Sequence, residues 1–144
     1  MIKNVRRWTL LPLFCLLLGA RPGFGQVAVI AHKSVPVDTI TNLKLLEIYS
    51  GELRVWSNGE RIALFDLQLK GETRKAFYKI LGKSASRMKS IWLVNMLSGE
   101  GDPPGKTKSE EEMLEKIAAA PGAIGFVSSQ ADLGEDVKTL FITE

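Results

Sequence analysis

The residues best suited to chemistry lie in the stretch Leu69-Lys70-Gly71-Glu72-Thr73-Arg74, which sits between an apolar run and the start of a helix. The backbone N–H groups of Glu72, Thr73 and Arg74 are the unpaired donors of a helix N-terminus. With the Thr73 hydroxyl they can cradle an oxyanion. Lys70 and Arg74 would attract such a group, and the Glu72 carboxylate would compete with it. The same residues serve equally well as an ordinary helix start, and the local pattern alone leaves both readings open. A second candidate is Gly99-Glu100-Gly101, where two glycines let backbone approach a ligand or simply form the turn before Pro103-Pro104.

Other constellations carry less. His32 is the single histidine, so a multi-histidine metal site is excluded. A nucleophilic pair with Ser34 has no orienting acid nearby in sequence. Glu110, Glu111, Glu112 and Glu115 spread around a helix whose dipole favours acids in its first turn, and this suits a solvated helix start better than a metal cluster. No glycine-rich nucleotide loop, HExxH or GxSxG segment occurs. The expectation is therefore a non-enzyme without metal or cofactor.

These candidates need elements to position them. Val27 to Ala31 is a short, β-branched apolar run that reads as a buried strand, as do Arg61 to Phe65, Ala123 to Val127 and Val137 to Ile142. Between them lie four helical patterns. The first is capped by Thr39 or Thr41 and runs to about Tyr49, with Leu43, Leu46 and Ile48 or Tyr49 inward. The second is Glu72 to Leu81, closed by Gly82. The third runs from Ser84 or Ser86 to about Leu97, and the fourth opens on a Ser109–Glu112 capping box and ends before Pro121-Gly122. Asn58-Gly59 marks a hairpin turn. Strands alternating with helices predict a single three-layer α/β lobe with a largely parallel, mixed sheet.

The first 25 residues stand apart. Lys3, Arg6 and Arg7 precede an apolar run of 11 residues, Trp8 to Leu18, and small residues follow up to Gly25. This is the layout of a cleaved signal peptide, and the run is short of the ~20 residues that span a bilayer, so no permanent anchor is expected. Phe14 before Cys15 argues against lipidation. Cleavage near Gly25 removes four of 19 basic side chains and none of 16 acidic ones, so the formal charge falls from +3 to −1. It also removes the one cysteine. A nucleic-acid partner is then unsupported, and thiol chemistry is excluded.

The order of four segments, LLEIYSGELRVWSNGERI, GETRKAF, SGEGDPP and PGAIGFV, resembles the phosphate-binding-protein branch of the type II periplasmic solute-binding proteins. Ile48, Tyr49, Gly51 and Trp56 match one family motif, and Pro121 to Val127 match another. The resemblance implies a periplasmic location and one lobe of a fold that is two-lobed in the family. As partners it implies phosphate or another oxyanion, with an ABC permease, an envelope protein or a second copy of the chain. The family's Gly-Ser-Gly-Thr loop falls on Lys70, Gly71, Glu72 and Thr73, and its upstream Arg and Asp fall on Leu67 and Leu69. The resemblance therefore implies a weakened anion site built from Lys70, Gly71, Thr73 and Arg74, with Gly99 and Gly101 as secondary candidates. The alternative is an interaction module that keeps the fold without the ligand.

Overall fold

The computed structural model describes residues 26–144; the expected signal peptide lies outside the described residues. In chain order the elements are β1 (Val27–His32), β2 (Thr39–Thr41), α1 (Asn42–Tyr49), β3 (Ala63–Leu67), α2 (Glu72–Leu81), α3 (Ala85–Leu97), β4 (Gly105–Thr107), α4 (Glu110–Ala119), β5 (Ala123–Ser128) and β6 (Val137–Thr143). The strands form one six-stranded sheet in the order β2-β6-β1-β5-β3-β4. Three of its pairings, β2–β6, β3–β4 and β3–β5, are parallel. Only β1 runs against its neighbours, β5 and β6.

Alternation along β5 explains the layers. Phe126 points to one face, where its ring stacks on Phe77 of α2 at 3.8 Å between centroids. Gly125 points to the other, where a side chain would collide with Met113 and Ile117 of α4. Tyr49 of α1 meets Phe77 edge-on at 4.9 Å, so α1 and α2 share the first face and α4 covers the second. Phe77, Phe126, Met113 and Ile117 are fully buried, and each contributes roughly 1.5–3 kcal/mol through removal from water.

Helix α3 packs further out, tied to the end of α1 by two bonds: Trp92 Nε1 donates to the Tyr49 carbonyl at 2.8 Å and Asn95 Nδ2 to that of Ser50 at 2.9 Å. Its outer side leaves Leu93, Val94, Met96 and Leu97 exposed. Met88 and Trp92 are its buried residues.

The structure differs from the sequence reading at several places. Thr39 belongs to β2 and Thr41 caps α1. Leu43 is exposed while Leu45 is buried, because capping at Thr41 sets which turn of the helix meets the sheet. The second expected strand, Arg61 to Phe65, begins two residues later, at Ala63. Arg61 instead forms a lone bridge with Val55 across the five residues 56–60, in which Gly59 takes φ +83°. β2 and β4, of three residues each, are too short to give a periodic signal.

Candidate functional site

The start of α2 is unlike the other helix starts. Thr41, Ser84 and Ser109 each accept a backbone N–H with their hydroxyl oxygen and so cap α1, α3 and α4. Gly71 has no side chain to do so at α2. The first backbone bond of this helix runs from Lys75 N–H to the Gly71 carbonyl. Among the described residues, no hydrogen-bond partner meets the N–H groups of Glu72, Thr73 and Arg74. Lys70 is exposed and Thr73 half-buried beside them. Glu72 lies 3.6 Å from Lys75 in a solvent-exposed pair, an interaction too screened to hold the carboxylate away from the helix end.

Arg74 goes elsewhere. Its Nε donates to the Leu67 carbonyl at 2.9 Å, its Nη2 lies 3.5 Å from Asp66 Oδ2, and its guanidinium sits 4.8 Å above the Tyr78 ring. Tyr78 Oη donates to the same Asp66 oxygen at 2.9 Å. Only the backbone N–H of Arg74 therefore remains at the helix end.

Burial is the main force on this cluster. It raises the Asp66 carboxyl above its usual value against the lowering effect of Tyr78 and Arg74, and it raises the Tyr78 hydroxyl, which Asp66 pushes further. A carboxyl that holds its proton more tightly when folded removes stability as pH rises from its unfolded value, near 3.8, through its raised folded value. Thermal melting across that window is expected to show the wild type losing stability relative to Asp66→Asn, with a constant deficit above it. Parallel stability curves would contradict the assignment.

Gly99 and Gly101 do not join the α2 site. Gly99, at φ +73°, follows the last turn of α3, and Glu100 N–H returns to the Asn95 carbonyl at 2.8 Å in a standard helix stop. Gly101 lies against the Arg54 guanidinium, in a cleft of about 270 Å3 whose lining excludes Lys70, Gly71 and Thr73.

His32 and Ser34 do meet, with His32 Nδ1 2.8 Å from Ser34 Oγ. His32 Nδ1 accepts from Ser34 N–H, Ser34 Oγ donates to Glu60 at 2.8 Å, and Gly122 N–H donates to Ser34 Oγ at 3.1 Å. The acid holds the serine rather than the imidazole, and the hydroxyl is committed to tying three segments together. Glu110 and Glu112 likewise accept backbone N–H groups, from Ser128 and Lys108. Sequence reasoning missed Asp66 and Tyr78, whose only signal was an acid inside an apolar strand.

No family model and no curated protein matches the chain. Solved structures do. A substrate-binding protein assigned to phosphate ABC transport from Clostridium perfringens, solved with bound phosphate, superposes with a TM-score of 0.65 at 20% identity over 82% of this chain and 45% of its own. The chain shares the fold of a little under half of that protein. An ABC-type phosphate transport receptor from Vibrio cholerae gives 0.62 at 19% identity, covering 82% and 46%. PstS from Borrelia burgdorferi gives 0.60 at 15%, covering 82% and 47%. The chain thus spans less than half the length of the structures it matches. Among the described residues no helix is long and apolar enough to cross a membrane.

Proposed function

We propose that residues 26–144 form an exported, periplasmic solute-binding domain, delivered by a signal peptide over residues 1–25, that takes phosphate or a related oxyanion weakly at the start of α2. The observation that carries this reading is the uncapped α2 terminus, with three backbone donors free among the described residues, in a fold shared with a phosphate-bound protein. Thr73 Oγ1, the N–H groups of Glu72, Thr73 and Arg74, the Gly71 turn and the Lys70 ammonium are the contacts. The Arg74 guanidinium, Gly99 and Gly101 are left out, for the geometric reasons above.

Weak affinity follows from three features. One lobe covers one side of a ligand. Leu67 and Leu69 can supply no charge-assisted bonds. The Glu72 carboxylate repels an anion at the same helix end. An ABC permease, an envelope protein or a second copy is the kind of partner that would complete such a site.

Calorimetric titration with phosphate, sulfate and small carboxylates tests the proposal. Thr73→Ala is expected to weaken phosphate binding about tenfold, the worth of one hydrogen bond to a charged group. Glu72→Gln is expected to strengthen it. Heats too small to fit at millimolar phosphate in all three proteins would overturn the reading and leave the interaction-module alternative.

A further inference from the structure

We propose that a second site, the groove between α3 and the β3–β4 edge, binds a small organic acid that carries a hydroxyl group and an apolar, ring-sized body. The groove holds about 460 Å3, a volume suited to small ligands. It is separate from the α2 terminus, since its lining includes Arg74 but not Lys70, Gly71 or Thr73.

Three chemistries line it. The first is an acceptor. Asp66 Oδ2 is occupied by Tyr78 and Arg74, whereas Oδ1 is buried and receives no donor among the described residues. Buried polar atoms in folded proteins are nearly always paired, so an enclosed carboxylate oxygen beside a groove calls for a donor from outside the chain. The second is an apolar wall, made by Met88, Trp92, Met96 and the Pro103-Pro104 pair. The third is a cationic excess. Lys89 and Lys106, both exposed, line the groove with Arg74 and have no acidic partner within 4 Å among the described residues, so three cations face the single Asp66 carboxyl.

A ligand that satisfies all three carries a hydroxyl for Asp66, a flat apolar body for Trp92 and the prolines, and an anionic end for the lysines. Inorganic phosphate lacks the body, and a simple alkanoate lacks the donor.

The full protein would be titrated with 4-hydroxybenzoate, benzoate, 4-hydroxybenzyl alcohol and inorganic phosphate, and the Trp92 indole N–H followed by NMR. 4-Hydroxybenzoate is expected to shift this resonance saturably. Benzoate, without the donor, and the alcohol, without the anion, are each expected to bind about tenfold more weakly. Lys106→Ala and Lys89→Ala change exposed side chains. Each is expected to weaken 4-hydroxybenzoate while leaving the alcohol unchanged. No saturable shift with any probe, equal binding of benzoate and 4-hydroxybenzoate, or shifts that cluster away from Trp92 would each overturn the proposal.

Discussion

Phe77→Ala is expected to lower the unfolding free energy by about 3–5 kcal/mol, the range for emptying a buried aromatic site. Phe77 has no exposed surface. Its ring is nearly parallel to Phe126 at 3.8 Å and meets Tyr49 and Tyr78 edge-on at 4.9 and 5.7 Å. It is therefore where α1, α2 and the central strand β5 converge, and no neighbouring ring can fill its volume without breaking another contact. Urea denaturation gives the measurement. Leu97→Ala, at a side chain 80% exposed, provides the contrast and is expected to change stability by less than about 0.5 kcal/mol. A loss below about 1 kcal/mol for Phe77→Ala would place the core elsewhere.

Gly122→Ala is the second large effect, and its cause is different. Gly122 sits at φ +78°, and a Cβ there would lie 2.3 Å from the Arg61 carbonyl oxygen. The left-handed backbone alone disfavours a side chain by about 1–2 kcal/mol. The collision adds about 1–3 kcal/mol more, because the obstacle is backbone. Neither contact can move freely. Gly122 N–H is held by Ser34 Oγ, and its carbonyl accepts from Trp56 Nε1 at 2.9 Å and from Ala63 N–H at 3.2 Å. Gly59→Ala separates the two causes: φ is +83° there, yet nothing lies within 4 Å of the added carbon. It is expected to cost about 1–2 kcal/mol. Equal losses for the two variants in urea denaturation would refute the clash.

That comparison also explains what the sequence could reveal. The residues that carry the family resemblance are largely architectural. Tyr49 Oη donates to the Phe65 carbonyl, Gly51 takes φ +83° beneath Trp92, and Trp56 bonds the Gly122 carbonyl. Gly125 lets α4 approach β5. Such positions fix local geometry through residue type alone, so they can be read from a string of letters. The helix start at Ser109 was legible for the same reason, and those at Thr41 and Ser84 were each narrowed to two candidates, Thr39 or Thr41 and Ser84 or Ser86.

The anion site was legible only in part. Spacing placed Thr73 at a helix start, but it could not show that Arg74 turns back toward Leu67 and Asp66. That choice depends on Tyr78, one helical turn on, and on an acid in β3 brought close by the sheet. Gly99 and Gly101 likewise shared a short loop in sequence. In the fold they divide between a helix stop and the Arg54 contact. Antiparallel pairing of β1 was hidden for a related reason: both neighbours of β1 are distant in sequence, and the direction of a strand leaves no mark in its own residues.

The central claim is that the free donors of α2 hold an oxyanion. The most direct measurement is a phosphate titration followed by amide NMR at constant ionic strength, with chloride as the control. The account predicts that the Glu72, Thr73 and Arg74 amides shift together and saturate at millimolar phosphate, and that Thr73→Ala weakens the response. Amides at that helix end that stay fixed, or that respond equally to chloride, would contradict it.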